Sequence, residues 1–176
     1  MAKFFRKELV FLRIAIAGIP GVGKTELAKK VSSLLRLPFV SVPVEEIFNG
    51  GDLRRKQYEA IYKQIEAENT NSKGFVTDRP GVNYLAHWTL HFPPDDEESK
   101  RYTRLCLTRP YDLLAYIAPK GALDEEKDRL DMVIVGGLAY YKNRVVIYRD
   151  EVDAMAEEVL QALKGGDLYW LNLGAS

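Results

Sequence analysis

The residues best suited to chemistry are Gly18-Ile19-Pro20-Gly21-Val22-Gly23-Lys24-Thr25, which match G-x-x-x-x-G-K-[ST] in full. Backbone N–H groups can wrap a phosphate only where no side chain blocks its approach, so Gly18, Gly21 and Gly23 serve chain geometry. A helix opening directly after such a turn adds unpaired donors and the positive end of its dipole. Lys24 would reach the β and γ phosphates, and Thr25 would offer a hydroxyl to a magnesium ion bridging them. Nucleotide binding by these eight residues is the central expectation.

A phosphate loop does not by itself separate kinases, GTPases and motor ATPases, so the discriminating residues must lie elsewhere. In Phe75-Val76-Thr77-Asp78-Arg79-Pro80-Gly81, Asp78 stands at the end of a short strand. Its carboxylate could hold magnesium or accept a proton from an attacking hydroxyl, if that strand neighbours the one before the loop. Arg79 offers a planar fork for a phosphate or carboxylate on a second substrate. A solvated Asp–Arg pair at a turn is the plain alternative.

Two further stretches bear on the second substrate. The run from Pro119 to Arg129 is charged and lacks apolar periodicity, as a mobile cover over a site would be, and a lid is expected near 119–130. Of its cations Lys120, Lys127 and Arg129, the guanidinium of Arg129 best matches a phosphoryl group in transit. In Asn83 to Phe92, Tyr84, Trp88 and His91 share the i, i+4, i+7 spacing of one helical face, which could wall a pocket for a planar acceptor. His87 and His91 are spaced as helical metal ligands, but there is no H-E-x-x-H and no third ligand beside them.

The elements that must position these groups alternate. Five segments dense in β-branched or aromatic residues, Leu12–Gly18, Phe39–Val42, Phe75–Thr77, Tyr111–Ala118 and Arg144–Tyr148, read as strands. Between most of them lie helically periodic stretches. Leu27, Val31, Leu34 and Leu35 mark one helix, stopped by Pro38; Ile61 and Ile65, with Tyr58 and Tyr62, mark another that starts near Asp52. Asn83 to Arg109 holds two helical pieces split by Pro93-Pro94, and Asp131 to Tyr141 has a weaker helical pattern. A last helix opens at Asp150 or Glu151 and closes at Gly165-Gly166. The fold class is therefore α/β: a three-layer α/β/α sandwich on a five-stranded parallel sheet with helices on both faces.

The chain has 176 residues, which suits a single domain over 1–176. Its 25 Lys and Arg balance 25 Asp and Glu, so phosphate recognition must be local, and neither a nucleic acid nor an anionic membrane is an expected partner. The lone Cys106 excludes a disulfide framework, and Arg13 interrupts the first apolar stretch, which argues against a signal peptide or membrane span. A cytoplasmic protein is expected. The tail after Gly166, rich in aromatic and aliphatic residues, is expected to dock on the body.

With GIPGVGKT, the strand-end TDRP, YDLLAYIAP entering a charged segment, and Asp128-Arg129 before a further helix, the chain resembles the P-loop nucleoside and nucleotide kinases. Within them it is most similar to AAA-type ATPase/kinase domains of the ribosylnicotinamide kinase kind, over about Leu12 to Leu163. The resemblance implies a sheet of order 2-3-1-4-5 with Asp78 beside the phosphate loop, magnesium-ATP as donor, and an adenine contact near Arg149-Asp150. Where relatives often carry a glycine before the lid arginine, this chain has Asp128. The expected activity is transfer of the γ-phosphoryl group of ATP to a nucleoside, nucleotide or related metabolite. Lys24, Asp78 and Arg129 would be catalytic, Thr25 and Asp78 would hold magnesium, and Arg79, Tyr84 and Trp88 would bind the acceptor. A regulatory ATPase module acting on a protein partner is the alternative, followed by a polynucleotide 5′-kinase and a GTPase. Asp78-Arg79-Pro80-Gly81 fits D-x-x-G, but no N-K-x-D guanine-reading motif accompanies it.

Overall fold

The phosphate loop follows directly on a strand whose every residue after the first is buried: β1, Arg13–Ala17, is covered on both faces as its apolar run requires. The computed structural model describes residues 11–165. The predicted docking of the tail after Gly166 concerns residues outside that range. After β1 come α1 (Lys24–Leu35), β2 (Phe39–Val40), the short α2 (Val44–Ile47), α3 (Leu53–Thr70) and β3 (Phe75–Thr77). The remainder is α4 (Gly81–His91), α5 (Glu97–Leu107), β4 (Leu113–Ala118), α6 (Glu125–Gly137), a 3-10 turn at Leu138–Tyr140, β5 (Arg144–Tyr148) and α7 (Val152–Gly165).

The five strands form one parallel sheet in the order β2-β3-β1-β4-β5, as the resemblance implied. The chain steps from β1 leftward to β2 but rightward in every later crossover, so right-handed connections put α1 on one face and α3 to α6 on the other. Helix α7 packs on α1, and α4 packs against α3, α5 and α6. Strand order thus reverses at β1, leaving a crevice at the carboxyl ends of β1 and β3. The phosphate loop stands at that crevice.

Local sequence explains where the helices begin. Asp52 caps α3 by accepting from the N–H groups of Arg54 and Arg55, and Asp96 caps α5 through Ser99 N–H. The charged run Pro119–Arg129, expected to be a mobile cover without helical periodicity, is helical in its second half. Asp124 caps α6 by accepting from Lys127 N–H, and Glu125, Glu126 and Asp128 fill a first turn that favours negative charge. Residues 125–129 are helical, and only 119–124 form a loop. The weak pattern after Asp131 is the remainder of the same helix.

Two hydrophobic clusters hold the layers together. The larger surrounds β1, β4, α1, α6 and α7. The smaller, between α3, α4 and α5, gathers Ile61, Tyr84, Leu85, Trp88, Tyr102 and Cys106. Gly81 makes their junction possible: a Cβ there would lie 1.9 Å from the carbonyl oxygen of Cys106, so α4 and α5 meet at a point that admits only hydrogen. None of the described helices is long and apolar enough to cross a membrane.

Candidate active site

The loop between β1 and α1 has the backbone its glycines permit. Gly21 and Gly23 have φ of 85° and 96°, left-handed values that side-chain-bearing residues rarely take. Gly18 is needed for a second reason: a Cβ there would come within 2.9 Å of Val22 Cγ2 and 3.1 Å of the Ile117 carbonyl oxygen. Ile19 and Val22 are buried and tie the loop to the core, while Pro20 and Gly21 are exposed.

Lys24 opens α1 and folds back over the loop, its Nζ donating to the Ile19 carbonyl at 2.8 Å. Burial lowers its pKa from 10.5 to about 8; Asp78 counteracts this, and Arg79 adds to it. The ammonium is thus held in a place short of compensating negative charge, which a polyphosphate would supply.

Strand register brings the predicted carboxylate to the loop. Ala15 pairs with Thr77, so Asp78 emerges beside the end of β1. Thr25 Oγ1 donates to Asp78 Oδ2 at 2.5 Å. Asp78 is only 2% exposed, and its other oxygen, Oδ1, is buried without any hydrogen-bond partner. An orphaned carboxylate oxygen beside a threonine hydroxyl is a pair of hard oxygen donors, as a magnesium ion prefers, and the orphan is the atom such a group would satisfy.

Arg79 turns outward. Its Nη2 donates to Glu45 Oε1 at 3.0 Å, while its Nε is buried and unpartnered. The Glu45 carboxyl is held below its usual range, first by its own backbone N–H and further by the Arg79 guanidinium. The turn bearing Asp78 and Arg79 is shaped from below: Thr77 Oγ1 accepts from Arg79 N–H at 3.2 Å and from Gln64 Nε2 at 3.0 Å. Gln64 also donates to Glu68, which Arg109 and Tyr111 hold in turn. This buried network anchors the turn bearing Asp78 and Arg79 to α3.

The aromatic predictions on α4 need correction. Trp88 is fully buried, stacked on Tyr102 with ring centroids 4.1 Å apart, and its indole N–H donates to Ser99 Oγ at 2.7 Å. Tyr84 is 5% exposed, and its hydroxyl donates to Gln64 Oε1. Both belong to the smaller core, because α3 and α5 cover the face of α4 that the spacing alone left open. Neither ring presents a surface for an acceptor to stack on. His87 is exposed on the same helix, and its protein surroundings, followed by the positive charges of Lys24 and Arg79, lower its pKa. Arg129 is exposed near the start of α6, with no hydrogen bond or ion pair among the described residues. Helix α6, whose first turns carry Glu126 and Arg129, packs against α4.

Two contributors had little signal in the sequence. Glu45 lies on the short α2, and its role as the partner of Arg79 depends on a contact across 34 positions. Asn83, buried on α4, donates from Nδ2 to the Gly18 carbonyl at 2.6 Å. No spacing rule joins a helix asparagine to a loop so distant in sequence.

Comparison with known proteins agrees with this architecture. Residues 14–78, from β1 through Asp78, match the family model described as ATPase family associated with various cellular activities (AAA). No curated protein matches the chain in sequence. Among solved structures, the NadR protein in complex with NR superposes with a TM-score of 0.70 at 16% identity, covering 88% of this chain and 51% of NadR, so this chain spans about half of that protein. Deoxyadenosine kinase from M. mycoides, with the products dCMP and dCDP bound, gives 0.68 at 16% identity and covers 88% of this chain and all of that one. The YorR protein from Bacillus subtilis, in complex with phosphorylated GDP, gives 0.50 at 16% identity over 86% of this chain and 95% of that one. At these identities what is shared is the fold, a P-loop α/β/α sandwich.

Proposed function

We propose that this chain is an ATP-dependent small-molecule kinase that moves the γ-phosphoryl group of ATP to a hydroxyl of a nucleoside, nucleotide or related metabolite. The observation that carries this reading is the contact of Thr25 with Asp78 beside Lys24, with one Asp78 oxygen left buried and unpaired. The names of the structural neighbours, a deoxyadenosine kinase among them, support the same class of reaction.

In this reading the loop amides and Lys24 hold the β and γ phosphates, and Lys24 exchanges its contact with the Ile19 carbonyl for the polyphosphate. Thr25 and Asp78 would hold magnesium, which when bound draws charge from the transferring phosphoryl group. The acceptor would enter beside Arg79, which follows Asp78 in the chain and is paired with Glu45. The Arg79 guanidinium grips an anionic or hydroxyl-rich group of the acceptor and shares it with Glu45. As the acceptor oxygen bonds to phosphorus and the bond to ADP breaks, the hydroxyl proton passes to a carboxylate at the site. Arg129, on the first turns of α6, closes over the phosphoryl group with the 119–124 loop and keeps water out. Positioning supplies most of the rate.

ADP release measured against a panel of ribonucleosides, deoxynucleosides, nucleoside monophosphates and nucleotide-derived metabolites tests the proposal. ADP production should rise with the right acceptor, a phosphorylated product should appear in equal amount, and Lys24→Ala should remove most turnover. Hydrolysis that ignores every small acceptor and yields no phosphorylated product, or that responds only to a macromolecule, would overturn it in favour of an ATPase module.

A further inference from the structure

The kinase reading makes no use of Asn83, yet this residue joins the two sides of the site. It is 8% exposed, and the single hydrogen bond of its side chain runs from Nδ2 to the Gly18 carbonyl oxygen at 2.6 Å. The reverse amide orientation would set two oxygens against each other, so the contact itself assigns the atoms. The other end, Oδ1, is buried without a partner. A leucine of similar size would fill the space without that penalty, so what the amide contributes is its donor.

The acceptor of that bond is no ordinary carbonyl. β1 ends at Ala17, which pairs with Tyr116, and Gly18 is the first residue beyond the ladder. Gly18 cannot carry a side chain to orient its own peptide, because Val22 and Ile117 occupy the space. A trans peptide sends its C=O and its N–H in opposite directions, so fixing the Gly18 carbonyl toward α4 also fixes where the Ile19 N–H points. The next carbonyl, of Ile19, is held by Lys24. Two successive peptides of the loop are thus clamped, one by the loop's own lysine and one by α4. When Lys24 leaves for a polyphosphate, the Asn83 clamp remains.

We infer that Asn83 is a positioning residue for the donor nucleotide: it fastens the first peptide of the phosphate loop to α4 and keeps the loop in its phosphate-binding form. The inference rests on the kinase reading only in taking the loop to bind a nucleoside triphosphate. Because α4 opens two residues after Arg79, the same bond ties the turn that bears Asp78 and Arg79 to the phosphate loop.

The test is equilibrium titration of the full chain with a fluorescent ATP analogue and magnesium, for wild type, Asn83→Leu and Asn83→Ala, alongside thermal unfolding and the unfolding shift caused by the analogue. Both variants should bind about tenfold more weakly, the equivalent of one lost hydrogen bond. Unfolding of the unliganded protein should change little for Asn83→Leu. Asn83→Asp, which keeps the shape but carries no donor toward Gly18 when ionised, should bind no better than the leucine variant, and lowering the pH to protonate it should recover affinity toward wild type. Wild-type affinity in Asn83→Leu, or in Asn83→Ala should the leucine variant not fold, overturns the inference. So does a loss of affinity matched by an equal loss of unliganded stability with no pH rescue in Asn83→Asp. Absence of binding by wild type would instead remove the nucleotide reading beneath it.

Discussion

Thr25 Oγ1 and Asp78 Oδ2 lie 2.5 Å apart, 53 positions distant in sequence, and join the first turn of α1 to the end of β3. The bond exists because β1 and β3 are neighbours in a parallel sheet, so both loops leave from the same end. It leaves Asp78 Oδ1 buried as an unsatisfied acceptor beside the loop. Asp78→Asn keeps the volume and removes the charge. Phosphoryl transfer should fall by about 100-fold or more, the scale seen when one preorganised charged group is lost from an active site. The unfolding temperature should stay near that of wild type. An asparagine variant with undiminished turnover would remove Asp78 from the reaction.

The depressed pKa of Lys24 predicts a pH dependence of nucleotide binding. Unliganded, the ammonium loses its proton around pH 8. A bound triphosphate surrounds it with negative charge and raises its pKa, so binding above pH 8 takes up a proton. Affinity should be flat from pH 6.5 to about 7.5 and should fall by up to about tenfold per pH unit beyond 8. Titration calorimetry in buffers of different ionisation enthalpy should register the proton uptake at pH 8.5. Lys24→Arg should abolish the uptake, since guanidinium stays charged throughout.

Burial of Trp88 separates a packing role from an acceptor role. The indole stacks on Tyr102, bonds to Ser99 and lies within 5.7 Å of the Arg54 guanidinium. Trp88→Ala should destabilise the fold by roughly 3–5 kcal/mol in denaturant titration, the range for deleting a large buried aromatic. Trp88→Phe should cost less and leave the affinity for the ATP analogue and the KM for the acceptor unchanged. A selective rise in acceptor KM in the phenylalanine variant would restore the stacking role.

Gly81 gives the D-x-x-G pattern a packing explanation. A methyl group at this position would sit 1.9 Å from the Cys106 carbonyl, a backbone atom that cannot swing aside. Gly81→Ala should therefore destabilise by about 3 kcal/mol or more, or prevent folding, because α4 must move off α5. Equilibrium unfolding of Gly81→Ala beside Gly21→Ala makes the contrast. Gly21 has open space around it and a left-handed φ, so its alanine variant should fold and lose nucleotide affinity first.

Much of the site was legible in the linear chain wherever function depends on neighbours in sequence. The order of Gly, Lys and Thr in residues 18–25 dictates the loop, since phosphate wrapping needs backbone room and a helix start at set positions. The apolar run before it and the periodic residues after it dictate strand and helix. The acidic opening of α6 was equally local, and Asp124-Glu125-Glu126 carried the capping signal that the missing apolar periodicity obscured. What only the tertiary structure decided are contacts across sheet and helix layers. Periodicity says that Tyr84 and Trp88 share a face; it does not say whether that face meets solvent or neighbouring helices, and packing chose α3 and α5. The pairing of Glu45 with Arg79 and of Asn83 with the Gly18 carbonyl likewise arises from which strands adjoin and how closely the helices approach. A side chain's type fixes the bonds it can make, but the partner it finds depends on burial and distance, and those are properties of the folded chain.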